Sequence, residues 1–102
     1  MIQRNLSGTH RKYLRGLAHK LEPLVHIGQN GLSESVLSAI DQALKDHELI
    51  KVKFGDFKED KDEICNQIAD ALKAECTGTI GHIGIFYRPN PEKKNPIILP
   101  GS

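Results

Sequence analysis

The sequence predicts an α/β (α+β) sandwich, in which three helices pack on a mixed four-stranded sheet in the order α-β-α-β-α-β-β. Three segments carry apolar residues at helical spacing, one alternates apolar residues with lysines, and two short apolar runs flank Gly81-His82. The chain has 102 residues, of which 38% are hydrophobic, so it can bury a core as one domain. We expect that domain to occupy residues 1–90.

The first helix is predicted over residues 9–21 and the first strand over residues 24–27. Pro23 separates them, because proline cannot continue a helix. The helix has an apolar face at the spacing i, i+3, i+4, i+7, formed by Leu14, Leu17, Ala18 and Leu21.

The second helix is predicted to begin after Ser33, a favourable N-cap, and to end near His47. Leu32 and Leu37 occupy the positions of a hydrophobic staple across that cap. The buried face of this helix is assigned to Val36, Leu37, Ile40, Ala43 and Leu44.

The strand that follows is LIKVKFG, residues 49–55, in which apolar and charged side chains alternate. The alternation predicts one buried face and one solvated, positive face. The inward set is Ile50, Val52 and Phe54, and the outward set is Lys51 and Lys53.

The third helix is predicted over residues 61–75, and a hairpin follows with its turn at Gly81-His82. The prolines of residues 91–102 predict an extended C-terminal tail. The apolar stripe of the third helix is assigned to Ile64, Ile68, Ala71 and Leu72.

The charge of the chain is unevenly distributed, although its net value is +1. Residues 1–21 contain five basic residues and no acidic one. Residues 22–102 hold nine basic residues against thirteen acidic ones, a balance of −4. A basic end on an acidic body favours a localised anionic partner. The absence of a signal-like N-terminus, of a long apolar run and of a disulfide pattern predicts a cytoplasmic protein outside membranes.

The segment PLVHIGQNGLSESV places a G-x-x-G loop, residues 28–31, between a strand and a capped helix. Glycines three residues apart either supply positive φ in a turn or let another molecule approach the backbone closely. The free N–H groups at the helix start make a phosphate a suitable ligand for the second alternative. Two further matches, at 78–81 and 81–84, lie in strand-like runs and are assigned to hairpin geometry.

The first helix also carries a basic stripe beside its apolar face, formed by Arg11, Lys12, Arg15 and His19. Such a stripe is often merely solvated. Here no acidic residue accompanies it, and like charges spaced i, i+4 repel one another, which favours a polyanionic partner.

No arrangement of residues predicts catalysis, a cofactor or a metal ion. Cys65, Cys76 and His82 lack a fourth zinc ligand, so the cysteines are assigned to the core. The acidic residues of the loop before the third helix do not match a calcium loop. No paired nucleophile and base stands out.

The ordered motifs of residues 6–90 resemble the CRM domain (chloroplast RNA splicing and ribosome maturation), and most of all its stand-alone bacterial YhbY-type members. The resemblance rests on LSGTHRKYLRGLAHKLEPLVHIGQNGLSESVLSAIDQALKDHELIKVKF and on the closing GIFYRPN. It implies a fold similar to the C-terminal domain of translation initiation factor three. It also implies a non-catalytic protein that binds ribosomal RNA of the large-subunit precursor and acts in ribosome assembly.

Two groups of RNA-binding residues follow from the resemblance. Family members often have a basic residue at the position of Gln29, so this loop would contribute backbone N–H groups and an amide instead of charge. The first group is the loop Gly28, Gln29, Asn30 and Gly31. The second is the basic helix with Arg11, Lys12, Arg15, His19 and Lys20.

Two other functions are compatible with the same residues. One is binding of a nucleotide or phosphorylated metabolite at the G-x-x-G helix start, although the loop lacks the Gly-Lys-Ser/Thr of a P-loop. The other is a protein-interaction adaptor that docks through its acidic second and third helices, and ribosomal proteins are possible partners. A monomer is expected, because no exposed apolar stripe is left over in the predicted elements.

Overall fold

The computed structural model describes residues 8–28, 31–55, 61–90, 92 and 97, and their element order is the predicted one. Among these residues, no helix is both long and apolar enough to cross a bilayer. The helices are α1 Gly8–Ala18, α2 Glu34–His47 and α3 Lys61–Leu72; the strands are β1 Val25–Ile27, β2 Leu49–Phe54, β3 Glu75–Ile80 and β4 Ile83–Tyr87.

The four strands form one sheet in the order β1-β2-β4-β3. β1 is parallel to β2, whereas β4 is antiparallel to both β2 and β3. The sheet is therefore mixed, as predicted. The hairpin turn between β3 and β4 is also confirmed, with Gly81 in the left-handed region at φ 58°.

One face of the sheet packs against α2 and α3. The predicted register of β2 is confirmed, because Ile50, Val52 and Phe54 are at most 1% exposed while Lys53 lies in solvent. The added methyl of an alanine at Gly84 would lie 3.0 Å from the rings of both Phe54 and Phe86, so glycine is needed there. This core continues into the helices through Ile40, Leu44, Ile64, Cys65 and Ile68.

The other face is not the solvated surface that the alternation predicts, because α1 packs on part of it. β2 begins with Leu49, and β4 turns Ile85 and Tyr87 to the same side. These side chains form a second, smaller core with Leu14 and Ala18 of α1. The sheet thus has helices on both faces.

The stripes of α1 and α3 differ from prediction in detail. Leu17 and Leu21 of the predicted α1 face remain 38% exposed, and α1 ends at Ala18. In α3, Ala71 is exposed and Cys65 is buried instead. α3 ends at Leu72, and the next residue, Lys73, has a φ of 56° that stops the helix.

Glu48 joins α2 to β2 and is completely buried. Its φ of 66° reverses the chain direction, and its own N–H donates to the Leu44 carbonyl, 2.8 Å away. The carboxylate accepts the N–H of Asn90 at 2.6 Å and the N–H of Ile97 at 2.7 Å. Ile97 also packs against the smaller core, so this residue of the predicted tail is attached to the domain. The rest of residues 91–102, apart from Glu92, lies outside the described residues.

Candidate functional site

The two glycines of the loop after β1 have different requirements. Gly31 has a φ of 73°, a conformation that favours glycine, and its N–H donates to the Gly28 carbonyl at 3.0 Å. Gly28 needs no left-handed backbone, and a methyl group added to it would meet no atom within 4 Å. The turn explanation therefore accounts for Gly31, whereas open space lies beside Gly28. The predicted binding residues Gln29 and Asn30 lie outside the described residues.

The helix after the loop is capped as predicted. The Ser33 hydroxyl accepts the N–H of Val36 at 3.2 Å. Leu32 and Leu37 are partly buried against the larger core, which fits the predicted staple. Glu34 adds a carboxylate to the first turn, where it offsets part of the positive end of the helix dipole. Most of the attraction for an anion at this end must therefore come from other residues.

Two arginines of the predicted basic stripe fasten α1 to β3. Arg15 donates to the Thr77 carbonyl at 2.9 Å. Arg11 donates to the Cys76 carbonyl at 3.4 Å and approaches the Glu75 carboxylate at 3.6 Å. The expectation of a stripe without acidic neighbours is therefore wrong at Arg11, because Glu75 comes from a distant part of the chain. Arg15 remains largely exposed and can still meet a ligand.

Lys12 and His19 are exposed on the flank of α1 that also carries Arg15. At 100° per residue, this flank lies opposite Leu17 and Leu21, which face the start of β2 around Leu49. The flank with Lys12, Arg15 and His19 therefore faces the other end of β2, where the loop lies. Lys20 is exposed in the turn after α1 and does not belong to this flank.

The end of β2, the loop and the hairpin turn meet at one edge of the sheet. The N–H of Gly55 donates to the Ile27 carbonyl at 2.8 Å, and the N–H of Phe54 donates to the His82 carbonyl at 2.7 Å. Lys53 and His26 are paired in register and both exposed here. Neither was among the predicted site residues, although the alternation in β2 already turned Lys53 outward.

Acidic side chains gather on the opposite side of the molecule, on α2 and α3. There Asp41 accepts a hydrogen bond from Arg88 at 2.8 Å and pairs with Lys45 at 3.4 Å. The hydrogen bond from Arg88 holds the pKa of Asp41 below its ordinary value of 3.8. The two sides of the sheet therefore differ in charge, as the division of the sequence into a basic end and an acidic body suggested.

The cysteines lie in the larger core. The contact with Cys76, together with burial, raises the pKa of the Cys65 thiol. Among the described residues, no three histidine, cysteine or acidic side chains come together in a way that could hold a metal ion. The zinc combination is disfavoured on geometry, since His82 lies at the hairpin turn while Cys76 lies near the start of β3.

A cavity of about 360 Å³ lies beside α1, away from the loop. Its apolar lining includes Leu17, Leu21, Leu24 and Leu49 at the start of β2, whereas the loop adjoins the end of that strand. Leu24 is 51% exposed. The argument for a monomer, that no exposed apolar stripe remains, is therefore wrong, and the oligomeric state stays a prediction.

The fold is a small α/β domain with a mixed sheet and helices on both faces of that sheet. Cationic side chains lie on the α1 side of the sheet, toward the edge with the glycine loop. Residues 6–88 match the CRS1/YhbY (CRM) domain. The chain belongs to this family, as its motifs predicted.

Relatives and a solved structure agree with this assignment. An RNA-binding protein of Haemophilus influenzae is 50% identical over 90 residues, which cover 87% of this chain and 91% of that protein. The probable RNA-binding protein YqeI of Bacillus subtilis is 30% identical, with coverages of 87% and 94%. The solution structure of a hypothetical protein from Staphylococcus aureus, a candidate RNA-binding protein, matches with a TM-score of 0.80 at 36% identity. That match covers 94% of this chain and all of the other.

Proposed function

We propose that this chain is a non-catalytic RNA-binding protein of the cytoplasm. The observation that carries the proposal is the flank of Lys12, Arg15 and His19, which faces the edge where the open space beside Gly28 lies. If this flank binds phosphate groups of an RNA, the adjacent part of the RNA backbone would lie against the loop. Protein N–H groups of the loop could then donate to its phosphates. Relatives named as RNA-binding proteins support the same choice of polyanion.

The finer proposal is that the RNA is ribosomal, within precursors of the large subunit, and that the protein acts in assembly of that subunit. Ribosomal proteins would then be neighbours of the acidic side formed by α2 and α3. The family resemblance supports this role. The nucleotide alternative is less favoured, because the cavity of about 360 Å³ beside α1 lies at the opposite end of β2 from the loop.

The first test uses Gly28, since its conformation does not require glycine. We expect Gly28→Asp to weaken RNA binding by roughly tenfold or more, because a carboxylate would face the approaching phosphate and like charges at an interface repel strongly. Gly28→Ala is the matched control, and we expect a smaller loss from its uncharged methyl group. Fluorescence anisotropy with labelled ribosomal RNA fragments gives the affinities, and circular dichroism verifies the fold. Unchanged affinity in a folded Gly28→Asp variant would contradict the proposed site.

The second test identifies the RNA. Ultraviolet cross-linking in cells, followed by sequencing of the recovered RNA, should enrich large-subunit ribosomal RNA with the wild type and lose that enrichment with Gly28→Asp. Recovery of messenger and ribosomal fragments in proportion to their abundance would contradict the ribosomal assignment.

A further inference from the structure

One row of side chains crosses the whole sheet on the α1 side, and none of the helices in the described residues covers it. Its four members are cross-strand neighbours in the register: His26 pairs with Lys53, Lys53 with Ile83, and Ile83 with Ile80. His26 and Lys53 are exposed, Ile80 is 61% exposed, and Ile83 is half-buried. We call these four residues the open row.

The open row is uncovered because α1 packs on the rows nearer the start of β2. Those rows contain Leu49, Ile85 and Tyr87, all buried under α1. The Arg15 side chain of α1 passes over Gly78, two residues before Ile80, where an added methyl would lie 3.0 Å from Arg15 Cδ. The basic flank of α1 therefore borders the open row on one side.

The loop borders the same row at its end on β1. Gly28 is two residues after His26, and Gly31 precedes the helix whose first turn carries Glu34. Within the described part of the chain, no acidic side chain forms an ion pair with Lys53. Lys53 is thus an exposed cation two residues before Gly55, which lies beside Gly28. It is also near a helix start whose positive end Glu34 partly offsets.

The dimensions of the row suit a nucleotide strand. Four strands at a spacing of about 4.8 Å give a row of roughly 14 Å, from His26 beside the loop to Ile80 on the outer strand. Charge lies at the loop end and apolar surface at the other end. A nucleotide has the same two parts, since its phosphate is anionic and its unpaired base has an apolar face.

We propose that the open row is the floor of the RNA site and binds an unpaired segment, with Lys53 on a phosphate next to the loop and Ile80 against a base. This inference rests on the proposed function and extends its site from α1 and the loop onto the sheet. In a double helix the bases are stacked inside, so none could contact Ile80. The open row would therefore bind single-stranded RNA in preference to duplex RNA.

Two substitutions separate the two ends of the row. Lys53→Gln removes the charge but keeps the length, and Ile80→Thr keeps a β-branched residue that strands accommodate well. Lys45→Gln on α2 is the matched control, because Lys45 is an exposed lysine on the acidic side. Affinities are measured by anisotropy for a short labelled single-stranded RNA and for the duplex with its complement, over a range of salt concentrations.

A plot of log affinity against log salt has a negative slope, and we expect Lys53→Gln to make this slope less steep by about 0.7 for the single strand. Ile80→Thr should weaken single-strand binding by up to roughly fivefold without changing that slope, since an aliphatic contact is worth no more than the weakest base stacking on an aromatic ring. Ile80→Thr should leave duplex binding unchanged. Lys45→Gln should behave as wild type with both RNAs.

The outcomes distinguish this inference from the proposed function. If Lys53→Gln and Ile80→Thr bind as wild type while Gly28→Asp is weakened, the open row is not part of the site and the proposed function stands. If Gly28→Asp also binds as wild type, the loop is not part of the site either, and only a wild-type protein that binds neither RNA would overturn the proposed function. An equal loss from Lys45→Gln and Lys53→Gln would overturn the inference, because net charge alone would then explain both.

Discussion

The two faces of the sheet are covered to different extents, and this difference separates stability from binding. The face under α2 and α3 is closed by a continuous core that extends from Val25 to Phe86. The face under α1 has a core of five buried residues and leaves His26, Lys53 and Ile80 of the open row exposed, with Ile83 half-buried. A single short helix cannot cover four strands, so part of this face of the sheet is left uncovered by α1. The covered face therefore maintains the fold, and the half-covered face presents the candidate site.

The largest expected effect is the loss of stability when a side chain in either core is truncated, and it would show how much each face of the sheet contributes. Phe86→Ala in the larger core should cost about 3–5 kcal/mol of unfolding free energy, and Leu14→Ala in the smaller core about 2–3 kcal/mol, because a smaller cluster relaxes more easily around a cavity. Urea denaturation measures both values. A greater loss for Leu14→Ala would show that α1 contributes more to stability than the closed face does.

An intermediate effect is expected where α1 is fastened to β3. Arg15→Ala removes the hydrogen bond to the Thr77 carbonyl and should cost about 1 kcal/mol of stability in addition to RNA affinity. Lys12→Ala should reduce RNA affinity but change stability by less than about 0.5 kcal/mol, since Lys12 is exposed. Equal stability of the two variants would indicate that Arg15 does not anchor the helix.

The smallest effect is expected on the acidic side, where the Arg88 hydrogen bond lowers the pKa of Asp41. A lowered pKa in the folded state adds stability above the ordinary value of 3.8, and this contribution disappears as the pH falls through the lowered value. Near neutral pH, the unfolding free energy of the wild type should therefore be higher than that of Asp41→Asn by less than about 1 kcal/mol. The difference is small because the Asp41 carboxylate is one-third exposed.

The difference between wild type and Asp41→Asn should shrink below about pH 4. Urea titrations across this range measure it, and Asp46→Asn on the same helix is the control, since Asp46 accepts a bond from neutral Gln42. A difference that persists undiminished in acid would show that the charge of Asp41 is not what stabilises the fold.

The fold was predictable where one local rule decides the structure. Ser33 and the β2 alternation specified the start of α2 and the inward set of β2, and both are confirmed. The position of α1 was not predictable in the same way, because Leu49, Ile85 and Tyr87 come together only when β2 and β4 pair. Strand pairing between distant segments creates an apolar surface, and the periodicity of a single segment does not reveal it.

The site was predictable to a smaller extent. The G-x-x-G motif and the basic stripe predicted Gly28, Lys12 and His19 as binding residues, and they remain predictions. The roles of Arg11 and Arg15 as anchors depend on β3 carbonyls more than 60 positions away in the chain. His26 and Ile80 were missed because a lone histidine and a lone isoleucine in a strand carry no signal until the register places them in one row.

The buried carboxylate of Glu48 has a consequence for how the chain is made. Its two N–H donors, Asn90 and Ile97, follow it by 42 and 49 residues. During synthesis from the N-terminus, α2 and β2 leave the ribosome before either donor does. Until then this carboxylate must stay in water, because its burial without hydrogen bonds is costly. The junction between α2 and β2 is therefore completed only after β4 has been made. A chain that is cut between Asn90 and Ile97 would keep all seven elements but leave one oxygen of Glu48 without its donor.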